Sequence, residues 1–235
     1  MAQNIMTLDG NKEEISAPVR EVLSKAFVWM LGGMILAAIG ALAVGRFEFL
    51  RNWAISNPVI SLILLGVWFV FSIGFRPLVK AVPAPVGAVL FVIYTLATGI
   101  FLTVVINQYT TASLVIAFVA TVVLFGSMTL FALVTKMDLL KTRFYVWAAG
   151  FAIVVFAVIN AVFFRSELLD WLISLGLLIL FTVSTGSSIQ TIAQMAEEND
   201  PKLRDRLVIL SAATLFTNFI MIFLRILRLF GQRKR

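Results

Sequence analysis

Between Leu180 and Ile192 a hydrophobic segment carries Thr182, Ser184, Thr185, Ser187, Ser188, Gln190 and Thr191 almost back to back. At 100° per residue, Ser184, Ser187, Ser188 and Thr191 fall within an arc of about 100°, so a helix would gather them into one stripe. In the last hydrophobic segment Ser211, Thr214, Asn218 and Arg225 share an arc of roughly 60° by the same arithmetic. Such stripes belong against protein or water, not lipid, and the two are expected to face each other. A serine nucleophile needs a base, and the chain has no histidine and no cysteine. A Ser-Lys pair would need a lysine at span depth, where none falls. Catalysis is therefore not expected, nor a thiolate, a His-ligated metal or a cofactor. Two uses of the hydroxyls remain. They can join helices, bonding back to the carbonyl four residues earlier or across to a neighbour. They can instead line a hydrated cavity or narrow ion path, with Arg225 as an electrostatic barrier or, so near the helix end, snorkelling to the interface.

What holds these residues in place follows from composition. With 61% hydrophobic and 13% charged residues and a mean hydropathy of +1.02, the chain lies far outside the soluble range. Runs of about 20 apolar residues recur along it, each long enough to cross about 30 Å of hydrocarbon. Seven such runs use up the 235 residues. The expected fold is all-α, a seven-transmembrane-helix bundle: a polar cytoplasmic segment over 1–25, the membrane domain over 26–230 and a basic tail over 231–235.

Taken in order, residues 1–25 carry no basic start followed by an apolar stretch, so no cleavable signal peptide is expected. Ser16 could cap a surface helix in which Val19, Val22, Leu23 and Phe27 repeat at helical spacing. Span one, 26–44, holds Gly33, Ala37, Ala41 and Gly45 every four residues, a stripe that lets another helix approach closely. Asn57-Pro58 opens span two, which Arg76-Pro77 ends. The prolines of 80–85 forbid regular helix there, and span three follows to about 106. Span four ends near 134, and span five, about 145–164, holds a lone Asn160 expected to bond across to another helix. Span six starts near Trp171. Asp200 and Pro201 should start span seven, 207–230.

The net charge of +7 sits in loops and tails, where it sets topology and meets anionic lipid rather than nucleic acid. Seven crossings put the N-terminus and the 76–83, 135–143 and 193–206 loops on one side. That side holds eleven Lys and Arg against three in the opposite loops, so it should be cytoplasmic. The basic tail opposes this, which leaves a re-entrant last hairpin as the alternative to a full crossing.

Phe125-Gly-Ser-Met-Thr-Leu-Phe-Ala-Leu-Val-Thr-Lys-Met-Asp-Leu139 and the ending Leu215-Phe-Thr-Asn-Phe-Ile-Met-Ile-Phe-Leu-Arg-Ile-Leu-Arg-Leu-Phe-Gly231 resemble the Bax inhibitor-1 (TMBIM) family, from about residue 20 onward. The resemblance implies a central last helix. In relatives with calcium-leak activity it also implies an aspartate in span six, in a Tyr-Asp-x-Gln pattern, another in span seven before Phe-Ile, and a span-two arginine. Here the span-six pattern falls on Ser187-Ser188-Ile189-Gln190, the second aspartate on Asn218, and Arg76 is the counterpart of the arginine. Both carboxylates are missing. Ser188 and Asn218 offer neutral oxygens that cannot titrate near neutral pH and give calcium little to bind. The resemblance then implies a regulatory or stress-response membrane protein acting through a membrane partner, such as an ATP-dependent membrane protease. The alternative is a calcium leak channel with altered or lost pH gating, lined by Ser184, Ser188, Asn218 and Arg76.

Overall fold

The computed structural model describes residues 6–9, 12–46, 74–75, 78–79, 81–198 and 203–234. Six helices among them are long and apolar enough to cross a membrane. They are α1 (Ala17–Arg46), α2 (Ala84–Ile106), α3 (Thr111–Val134), α4 (Thr142–Ile159), α5 (Glu167–Glu198) and α6 (Arg204–Phe230). Two short strands, β1 (Met6–Asp9) and β2 (Lys12–Ile15), pair antiparallel ahead of α1. From Ala17 onward the described elements are helical, and the chain is a multi-pass membrane protein. Span two of the sequence reading lies outside the described residues except for Gly74 and Phe75, as do Arg76, Pro77, Asp200 and Pro201.

The helices start and stop where backbone chemistry requires. Pro83, with φ −60° and ψ 152°, is the extended residue before α2, and Pro85 sits in the first turn, where its missing N–H has no partner to lose. Asn107 ends α2. The amphipathic turns placed at the membrane edge are instead the start of α1 itself, with Val19, Val22 and Leu23 buried. The carbonyl of Ser16 accepts from Arg20 N at 3.0 Å, and its hydroxyl donates to Glu197 at 3.1 Å. At 27 residues, unbroken, α6 is about 40 Å long, more than the hydrocarbon thickness, and so is long enough to cross. Among the described residues it is also the most buried candidate span, at 72% of its most apolar window, against 6% for the span containing α4.

The chain falls into two compact units, and the division passes through α6 between Phe216 and Thr217. In one unit α1, from Glu21, packs on α2 with the first half of α6. A Cβ at Gly33 would lie 2.8 Å from both Phe91 and Thr95, and Gly99 lies directly against the Ala37 carbonyl. Thr103 donates to Ala41 O at 3.3 Å. These pairings advance together along both helices, so α1 and α2 run parallel. The small-residue stripe is thus a packing seam, and Tyr94, between Phe75 at 5.0 Å and Phe216 at 5.7 Å, fills the core beside it.

The other unit holds the hairpin, α3, α4, α5 and the second half of α6. Phe118 and Phe125 of α3 meet Phe219 of α6 edge to face at 5.7 and 5.6 Å. Arg228, near the end of α6, forms a fork on Asp170 in the first turn of α5, with Nε to Oδ2 at 3.1 Å. With Asn218 meeting Ser188 half-way along, that pairing makes α5 and α6 antiparallel.

Candidate functional site

The polar face of α5 is built as its spacing requires, but most of its hydroxyls stay within the helix. Thr182 donates to Leu178 O at 2.8 Å, Thr185 to Phe181 O at 2.9 Å, Ser187 to Ser184 O at 3.1 Å and Thr191 to Ser187 O at 2.7 Å. Each hydroxyl therefore has a partner before any neighbouring helix or water is considered. The exception is Ser188, whose Oγ accepts from Nδ2 of Asn218 at 3.3 Å. Asn218 is buried. At this point the two stripes meet, serine against amide, with no carboxylate between them. Ser184 is half-buried and lends only its carbonyl to Ser187.

Gln190, part of the polar run and the last position of the span-six pattern but given no role by either, does more than any of these. Its Oε1 accepts from Leu139 N at 2.8 Å, and its Nε2 donates to Met137 O at 2.9 Å and to Ala132 O at 3.4 Å. One buried amide thus joins α5 to the end of α3 and to the loop before α4. The loop is shaped for it. Asp138 accepts from Leu140 N at 3.1 Å, starting a 3-10 turn over Leu139–Lys141, and Thr142 closes that turn on Leu139 O at 2.6 Å. Leu139 packs where α5 carries Gly186, at which a Cβ would stand 3.0 Å from Leu139 Cδ1 and collide with the end of Met128. The available signal was chemical. A serine can satisfy itself on its own helix, whereas a glutamine amide has donors and acceptors enough to need a second segment.

The remaining residues do not join this junction through any side-chain bond described. Thr214 bonds back to Leu210 O at 2.8 Å. Among the described residues, buried Ser211 has no partner for its Oγ, and Nε of Arg225, a half-buried side chain, likewise has none. Arg76 is outside the described residues. Asn160 corrects an expectation: it does not bond a distant helix in mid-membrane but closes the corner between α4 and α5. Its amide donates to Ser166 O at 3.2 Å and accepts from Ser166 N at 3.0 Å. The helix widens into a π-turn over Asn160–Phe164, and Arg165 takes a left-handed conformation, φ 49°.

Among the described residues no group of three or more acidic, His or Cys side chains could hold a metal ion. The junction can hydrogen-bond and pack. It offers a hard divalent cation two neutral side chains, against the six to eight oxygens, several of them carboxylate, that calcium takes.

Residues 19–235 match the family model described as inhibitor of apoptosis-promoting Bax1. Relatives span nearly the whole chain. A protein of Borreliella burgdorferi is 27% identical over 98% of this chain and 99% of its own length. The inner membrane protein YbhL of Escherichia coli is 29% identical over 93% of this chain and 94% of its own. A Deinococcus radiodurans protein is 27% identical over 99% and 100%. With its helical membrane fold, its Thr135 to Leu139 loop and its α6 ending, the chain belongs to the Bax inhibitor-1 family.

Proposed function

We propose that this chain is a non-catalytic regulatory protein of a bacterial cytoplasmic membrane that acts by binding another membrane protein, and that it does not pass calcium through a proton-gated path. The observation carrying this reading is the Asn218 to Ser188 hydrogen bond, a neutral pair at the crossing of α5 and α6. Two facing carboxylates would share protons and attract a divalent cation. An amide and a hydroxyl do neither. The partner class favoured by the resemblance is an ATP-dependent membrane protease, engaged through the N-terminal segment and the 197–206 loop on the cytoplasmic side.

Capture from mild-detergent extracts, with the full chain and with a form lacking residues 1–15, tests the partner. Recovery of a membrane protein by the full chain and its loss from the shortened one is the expected result; recovery of none from either removes the reading. Calcium entry into dye-loaded vesicles between pH 6 and 8 tests the conduit. The full chain should match empty vesicles, and flux above that level would favour a leak instead. Orientation is separately testable, because the chain has no cysteine: Lys12→Cys should label only from the cytoplasmic face, and Lys234→Cys only from the opposite one.

A further inference from the structure

The flank of α4 and α5 carries a groove of about 270 Å³, open on one side and almost wholly apolar. On α4 it is lined by Thr142, Tyr145, Ala149 and Ile153, and on α5 by Gly176 and Val183 among others. The helices run antiparallel there: Gly150 faces Leu180, with a Cβ 3.6 Å from its Cδ1, and Gly176 faces Ile153, with a Cβ 3.4 Å away. From Thr142 to Ile153 the helix rises about 16 Å, against about 15 Å for one leaflet of a 30 Å hydrocarbon core. The groove is therefore as long as one leaflet is deep.

Its two ends differ. At Ile153 and Gly176 it is apolar. At the other end it reaches Thr142 and Tyr145, immediately after Lys141, whose side chain is 84% exposed and pairs only loosely with Asp138, N to O 3.6 Å. Lys141 does not wander with a free loop, because its 3-10 turn is held by Asp138, by Thr142 and, through Leu139, by Gln190. An apolar channel one leaflet long, with a lysine on an anchored turn next in sequence to its Thr142 end, matches the shape and charge of a phospholipid.

We propose that the α4/α5 groove binds one phospholipid of net negative headgroup, an acyl chain lying between Tyr145 and Gly176 and the phosphate meeting Lys141. Lys141 supplies the headgroup preference and the groove supplies retention. One lysine near an anionic headgroup corresponds to a preference of roughly five-fold.

The test uses the full chain in detergent micelles, titrated with phosphatidylglycerol or phosphatidylcholine, with native mass spectrometry counting lipids retained per chain. The wild type should retain one phosphatidylglycerol, at roughly five-fold lower concentration than phosphatidylcholine. Lys141→Gln should bring the two lipids level, and Gly176→Leu should abolish retention of both. Ala149→Phe, at an exposed position, blocks the same groove without loading a packed seam and should reproduce the loss if Gly176→Leu does not fold. Equal retention of both lipids by the wild type, undiminished retention in Ala149→Phe, or a copurifying protein displaced by that variant in place of lipid would each overturn the assignment.

Discussion

Two kinds of polar residue lie on α5 within a few turns of each other and are satisfied in opposite ways. The hydroxyl stripe turns inward on its own helix: Ser187 and Thr191 donate to carbonyls three and four residues back, and among the described bonds only that of Ser188 reaches another segment. Gln190 makes no such local bond among those described and instead ties Ala132, Met137 and Leu139 to α5. A row of small polar residues is thus a weaker sign of long-range structure than one larger one. A hydroxyl that bonds its own helix contributes the same whether or not a partner is there.

Substitutions that widen or narrow this contrast can be ordered by size. Gln190→Leu keeps the bulk but strands Leu139 N and Met137 O, so unfolding in detergent should lose about 3 kcal/mol. Exchange of the Leu139 amide should also accelerate. An unchanged denaturation midpoint would show that the amide is no clamp. Gly186→Ala pushes a methyl onto the ends of Met128 and Leu139, both able to shift, and should cost about 1 kcal/mol by the same assay. A double-mutant cycle of Ser188→Ala and Asn218→Ala should return a coupling of about 0.6 kcal/mol, the usual size for hydrogen bonds between membrane helices. A coupling near zero would mean that the stripes touch without holding. Smallest of all, Thr191→Val should change stability by less than about 0.5 kcal/mol. A larger loss there would erase the distinction between stripe and clamp.

Most of the fold could be read from the residues because membrane crossing is a demand on length and apolarity that each segment meets alone. The proline break before α2, the turn after Asn107 and the Gly33 to Ala41 seam needed nothing from elsewhere in the chain. The face carrying Ser184, Ser187, Ser188 and Thr191 was legible for the same reason, since helical periodicity is local. Which hydroxyl would look outward was not. That depends on whether a neighbour stands within hydrogen-bond reach, as Asn218 does for Ser188. Asn160 went astray on the same point, because its partner lay six residues on at a corner rather than across the bundle.

That corner has a bearing on evolution within the family. The widened turn at Asn160–Phe164 accommodates one residue beyond an ordinary helical turn. A homologue with a regular helix there would reach the Arg165 bend one position sooner. Column-by-column comparison should therefore open a single gap at 160–164, or every equivalence between the lipid-facing helix and its successor slips by about 100° of azimuth.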